Sequence, residues 1–291
     1  DIWMRARYSL DGLSGSNKIR FRLAFGSDGS NPASPILEGV GLDNVFIGEK
    51  KRNVMVEFFA DNGVETSGGY NTSLNGLLED PSTDGFNTLQ YHLNQSGLDP
   101  FHDENSADPL ARGLFYSVSA APRFVLDGEV LSSTLEDNLS ENKIDQRSLL
   151  DPLFELTIDT LASAQGVINF EVTLEALQDI NQPIVLHTAL AETRSSQSGT
   201  EYRNILKKLF YGGAGLDIPD VWTAGQTVTY AVNYVIDVEI EETEKLTLLA
   251  FVQDKVNFDI YQSASTAAPV KDNNALVTGV GDELEEEIQH I

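Results

Sequence analysis

Any chemistry in this chain has to come from oxygen and imidazole, because none of its 291 residues is a cysteine. Without a thiolate there is no attacking atom or leaving atom for disulfide exchange. His92, His102, Asp103 and Glu104 lie near one another and are metal-compatible types. They lack the short helical spacing that puts two imidazoles on one face, so they read as a strand-end histidine and a polar loop rather than a zinc site. Ser27, Asp28, Glu38 and Asp43 put oxygen donors on turns, and calcium takes roughly six to eight oxygens. Asp28, Glu38 and Asp43 are therefore candidate calcium ligands; the other reading is a solvated turn, with Asp28-Gly29 chosen for backbone shape. Phosphate loops, dinucleotide fingerprints and a Gly-x-Ser-x-Gly elbow are all missing. Gly212-Gly213-Ala214-Gly215-Leu216 lacks the lysine and the following helix of a phosphate cradle, and is expected to be a flexible crossover loop. With 45 acidic residues, carboxylates fall close together by chance and no pair stands out.

The net charge of −26 repels phosphate backbones and anionic membranes, which excludes nucleic acid as a partner class. Salt screens such a surface over a length of about 8 Å, so an extracellular setting suits it. The absence of cysteine leaves stability to packing or bound ions. No apolar run is long enough to cross a membrane, and no basic, apolar leader is present. The chain opens at Asp1-Ile2-Trp3-Met4 in strand-like sequence, which predicts a piece of something longer.

The elements that would position these groups begin with Val54-Met55-Val56-Glu57-Phe58-Phe59, an apolar run that suits a buried strand. A loop is expected over 60–67. A helix follows over Gly68 to Leu78, with Asn71 to Ser73 as cap candidates and Leu74, Leu77 and Leu78 on one face. Phe86 to His92 reads as a second strand. Asp108 to Tyr116 reads as a helix opened by an aspartate cap and a first-turn proline. Ala121 to Gly128 reads as a strand entered through Pro122, and Ser132 to Asn142 as a helix, with Asp145 to Pro152 as the link onward. Beyond it the period becomes two, giving about seven strands: 154–160, 166–174, 183–192, 202–210, 226–235, 245–254 and 257–263. That spacing argues for an immunoglobulin-like β-sandwich.

The order of these signals resembles a family of Bacteroidetes outer-membrane and secreted proteins in which a thioredoxin-like domain precedes a β-sandwich and a type nine secretion sorting domain. Tyr91-His92, Asp99-Pro100, Tyr116-Ser117-Val118 and Ala121-Pro122 fit that pattern, as do Val185 to Glu192, Tyr202 to Lys208 and Ala250 to Asp254. The match covers roughly residues 51–264. Where the family carries a Cys-x-x-Cys, this chain has Val64-Glu65-Thr66-Ser67, so Val64 and Ser67 hold the degenerate dithiol positions. The resemblance implies a cis Ala121-Pro122 bond facing that loop, an isomer nearly confined to X-Pro; the alternative is a trans proline starting an edge strand. Val277 to Asp282 matches the stretch that precedes the sorting domain, so Ile291 is expected to lie near a processing boundary. Ile2 to Gly48 resembles the last strands of a MAM-like jelly roll.

The expected organisation is multi-domain and mainly β: a partial jelly roll over 1–50, a thioredoxin-like α/β domain without its dithiol over 51–150, an immunoglobulin-like β-sandwich over 151–265, and an acidic linker over 266–291. The expected function is non-catalytic adhesion or scaffolding at the outer cell surface or outside the cell. Alternatives are the accessory region of a larger secreted hydrolase with its catalytic domain upstream, and a redox-inactive peptide-binding module whose groove offers backbone hydrogen bonds to an extended ligand. The partners this implies are the type nine secretion machinery during export, and then either a second copy, through open strand edges, or a surface glycan or protein ligand. Calcium is the one cofactor the residues suggest.

Overall fold

The computed structural model describes residues 18–22, 41–42, 45, 47–48, 50–80, 83–132, 138–161, 167–235 and 245–266. The chain divides into two compact units, Lys50–Asp272 and a second made of Asp1–Glu49 with Asn273–Ile291. Most of the jelly-roll piece expected over 1–50, including Asp28, Glu38 and Asp43, lies outside the described residues, as does the acidic stretch from 267 onward.

Within Lys50–Asp272 the elements run β1 (Val54–Ala60), α1 (Glu65–Glu79), β2 (Phe86–His92), α2 (Pro100–Glu104), α3 (Ala107–Phe115), β3 (Arg123–Leu126), β4 (Glu129–Val130) and α4 (Glu141–Ser148). They continue as β5 (Phe154–Leu161), β6 (Val167–Ala176), β7 (Ile180–Asn181), β8 (Ile184–Glu192), β9 (Ser195–Gln197) and β10 (Thr200–Tyr202). The last are β11 (Ile205–Leu209), β12 (Leu216–Asp217), β13 (Val221–Trp222), β14 (Thr227–Val235), β15 (Leu246–Asp254) and β16 (Ile260–Ser265). The unit is mainly β, with several sheets.

One nine-stranded sheet carries most of it, in the order β16-β15-β8-β11-β2-β1-β3-β4, with β12 also on β8. β1 and β2 are parallel through all seven residues, Val54 opposite Phe86 to Ala60 opposite His92. β11 joins β2 in parallel at Ile205 and Gln90, so the sheet runs without a break from residues before 150 to residues beyond it. Every residue of β1 is buried, as a strand covered on both faces requires. Val54, Val56, Phe58 and Ala60 pack against Tyr70 and Leu74 of α1 and Ile144 of α4. Met55 and Phe59 face the other way, onto a core shared with Leu89, Tyr91, Ala189, Ala191 and Phe251.

β8 and β15 are two-faced in the same way. Leu186, Leu190, Leu248, Ala250 and Val252 turn to a core with Phe154, Phe170, Val172 and Trp222, under the three-stranded sheet β14-β6-β5. Polar contacts reinforce the joint. Arg52 Nη2 donates to Asp127 Oδ2 at 2.7 Å and to the Ile260 carbonyl, and Asn87 Nδ2 donates to Ser263 Oγ at 2.9 Å.

Three local expectations need correcting. The first helix begins at Glu65, not Gly68, and Asn71 lies inside it: its Nδ2 donates to the Glu201 carbonyl at 2.7 Å, so its polarity serves a tertiary contact and not a cap. The Asp108 side chain does not cap α3; it accepts from the Leu209 amide at 2.9 Å, and Ser106 holds the cap position without a side-chain bond. Of the helix expected over Ser132 to Asn142, residues 133–137 lie outside the described residues; α4 begins at Glu141, capped by extended Ser140, whose Oγ accepts from the Lys143 amide, and it runs to Ser148, into the stretch Asp145 to Pro152 expected as a link.

Candidate functional site

Parallel strands deliver their C-terminal loops to one edge, and that is where ligands sit in open α/β sheets. β1 and β2 do this here. β1 ends at Ala60 and its loop carries Asp61 to Val64; β2 ends at His92 and its loop carries Leu93 to Asp99. α1 starts between them at Glu65, so Val64 and Ser67 flank its first turn, Val64 half-buried and Ser67 buried.

The corner is organised by Asp61, which is fully buried. Its Oδ1 accepts from the Gly63 amide at 2.9 Å and from Ser96 Oγ at 2.6 Å, and its Oδ2 from the amides of Gln95 and Ser96 at 2.6 and 2.9 Å. Ser67 Oγ accepts from the Asp61 amide at 3.2 Å. Gly63 has no alternative, since a Cβ there would stand 2.0 Å from Ser96 Oγ. Gln95 then spans to the third segment: its Oε1 accepts from the Ala121 amide at 3.1 Å and its Nε2 donates to the Ser119 carbonyl. The Ala121-Pro122 bond is cis, with Pro122 half-buried. A chain of hydrogen bonds thus links Ser67 to Asp61, Gln95 and Ala121.

His92 belongs to a neighbouring cluster. Its Nδ1 meets Asp99 Oδ2 at 2.9 Å, while Asp99 also accepts from the Asn62 and Phe101 amides. Burial would raise the Asp99 pKa, but the hydrogen bond and charge of His92 with the Asn62 amide outweigh it and hold the carboxyl below its ordinary value. His102 lies apart from that imidazole, its Nδ1 donating to the His92 carbonyl at 3.0 Å, and Glu104 accepts from Lys207 Nζ at 2.5 Å. Among the described residues no three His, Asp or Glu side chains converge as a metal site. A cavity of about 320 Å³ opens beside this corner, lined by Leu93, Gln95, His102, Leu110, Leu114 and Val118. Leu110 and Leu114 project from α3 and are 49% and 79% exposed.

On the buried side of α3 stands a second polar assembly. Arg112 and Glu57 are fully buried and paired twice, Nε to Oε1 at 2.7 Å and Nη2 to Oε2 at 3.0 Å. Tyr91 and Tyr116 donate to the same carboxylate at 2.8 and 2.5 Å. Arg112 also reaches the Gly213 carbonyl, Gln253 Oε1 and His187 Nε2, at 3.1, 2.9 and 3.2 Å. Burial works against the Arg112 charge, but Glu57 more than offsets it and holds the pKa above its ordinary value. Burial also pushes both tyrosines well up, so they stay protonated and keep donating. His187 is driven well down by burial and then by the Arg112 charge. It is neutral, and since arginine only donates, Nε2 accepts and the proton sits on Nδ1. The glycine-rich stretch is packed rather than slack: a Cβ on Gly213 would stand 2.5 Å from the Ala111 carbonyl carbon, and Gly215, at φ +77°, lies against the His187 ring.

Sequence reasoning missed both organising groups. Glu57 left a signal, a carboxylate inside a continuous apolar run, which demands a buried cation. Asp61, one of 45 acids, left none.

No protein-family model matches the chain, and no curated protein matches it in sequence. Among solved structures, a domain of the outer membrane lipoprotein Omp28 from Porphyromonas gingivalis aligns over 42% of this chain and 89% of its own, at 18% identity and a TM-score of 0.27. HBP35 of Porphyromonas gingivalis aligns over 76% of this chain and 77% of its own, at 17% identity and a TM-score of 0.58. The likeness to HBP35 is one of fold.

Proposed function

We propose that the chain is a non-catalytic scaffolding or adhesion protein of the Bacteroidetes cell surface, exported by the type nine machinery, in which a thioredoxin-like half without its dithiol is joined to an immunoglobulin-like half. The observation that carries this is the Asp61 corner. Where a dithiol would stand at the start of a helix, Val64 and Ser67 bond the backbone of Asp61, whose two carboxylate oxygens accept four hydrogen bonds from the protein itself. Such a carboxylate ties the loop after β1 to the loop after β2, and the Gln95 side chain carries the link on to Ser119 and Ala121. The fold shared with HBP35 and the sequence motifs of the secreted family support the same reading.

Two measurements test it. Intact cells of the source organism treated with a membrane-impermeant biotin reagent should label the protein; protection until lysis would overturn the surface assignment. The double substitution Val64→Cys with Ser67→Cys should form an intrachain disulfide and acquire insulin-reducing turnover that the parent lacks, because the first turn of α1 favours a thiolate. Turnover by the parent would refute the inert reading. The apolar cavity between Gln95 and α3 favours a second role, capture of an extended peptide without electron transfer.

A further inference from the structure

The three-stranded sheet has two edges, and they differ in charge. β5 carries Glu155 and Asp159, both exposed. β14 reads Thr-Val-Thr-Tyr-Ala-Val-Asn-Tyr-Val, nine residues without a charge, a proline or a glycine, in a chain of net charge −26. Its register with β6 is unbroken, from Thr227 opposite Glu175 to Val235 opposite Val167. Among the described residues no strand pairs with its other side. Natural edges are guarded by charge, proline, a bulge or shortness. β4 is two residues long and β16 meets its neighbour through a register shift at Val252/Gln253. β14 has none of these protections.

We propose that β14 is a homodimer seam, pairing antiparallel with β14 of a second copy about a two-fold axis at Ala231, so that two three-stranded sheets become one of six. The alternation of the strand fits this register. Thr227, Thr229, Ala231, Asn233 and Val235 are exposed, while Val228, Tyr230 and Val232 turn toward the core. Pairing about Ala231 sets Thr229 opposite Asn233 and Thr227 opposite Val235, exposed residue to exposed residue, as a period of two requires. The strand is self-compatible, which a two-fold contact demands. A contact between two copies across β5 would instead set acid against acid. The inference goes beyond the scaffolding reading and does not depend on the Asp61 corner.

Sedimentation of the full chain tests it. The parent, 31.8 kDa as a monomer, should shift toward twice that mass as concentration rises, more readily at high salt because the remaining surface is self-repelling. Ala231→Asp and Ala231→Lys, each alone, should weaken association by more than about tenfold by facing like charges across the axis; an equimolar mixture of the two should restore it. Glu155→Lys on β5 should leave association unchanged. Far-ultraviolet circular dichroism confirms that each variant is folded. A parent that stays monomeric at every concentration, or an Ala231→Asp variant that dimerises as the parent does, overturns the seam. So does a monomeric parent that photo-crosslinks through Thr229 only to a different protein.

Discussion

The two polar assemblies on either side of α3 are built from similar groups and do opposite things. At the Asp61 corner a carboxylate gathers backbone amides from loops at the end of β1 and β2, and its partners Gln95 and Ser96 are exposed. At Arg112 a carboxylate and a guanidinium sit with no exposure at all and draw in β1, β2, β8, β15 and the glycine-rich loop. The first holds a surface loop in shape; the second fastens residues 51–150 to residues 151–265. The difference teaches that a buried carboxylate in this chain shapes one loop when its partners are local amides and fastens distant strands when its partner is a guanidinium shared among them.

The sharpest way to break the comparison is at Arg112. Arg112→Met strands the Glu57 carboxylate among apolar side chains and should destabilise the protein by about 3–5 kcal/mol in a urea titration. Adding Glu57→Gln should recover about 1–3 kcal/mol of that loss, since the uncompensated charge goes while Tyr91 and Tyr116 keep an acceptor. Asp61→Ala should cost less, about 1–2 kcal/mol, because water can reach Gln95 and Ser96 when their acceptor is removed. Equal losses at the two positions would erase the distinction between joint and loop.

A smaller effect separates them by pH. His187 is held neutral in the fold, whereas in the unfolded chain it titrates near ~6.5. Its contribution is therefore complete above about 6.5 and is lost as pH falls below it. Asp127 has the opposite sign. Burial raises its pKa to about 6 despite Arg52 and the Met55 amide, so its contribution is present below about 3.9 and is lost as pH rises through about 6. The melting temperature of the parent measured against His187→Gln, over pH 7.5 to about 5, isolates the histidine: the gap should close toward low pH. Least of all, Arg203→Ala on the α1 side removes pairs with the exposed Glu79 and Glu201 and should change stability by under about 1 kcal/mol.

The individual strands were legible and their assembly was not. Val54 to Phe59 announces itself by an apolar run interrupted only by Glu57, Phe86 to His92 is a strand as expected, and β8, β14 and β15 fall within a residue or two of where their periodicity places them. Helix caps were misassigned where polar residues serve distant partners, as Asn71 does for Glu201 and Asp108 for Leu209. The parallel contact of β11 with β2 pairs Ile205 with Gln90 across more than a hundred residues, and nothing local in either strand encodes it. The glycines at 213 and 215 looked like slack because their reason, the approach of Ala111 and of the His187 ring, comes from other elements.

Hydrogen exchange followed peptide by peptide tests the joint most directly. If Arg112 and the shared sheet hold Lys50–Asp272 together as one cooperative body, the amides of β1 and of β15 should open with the same free energy and lose protection together in Arg112→Met. Should β15 stay protected while β1 exchanges freely in the parent protein, the two halves are separate bodies and the account of Arg112 as their fastening is wrong.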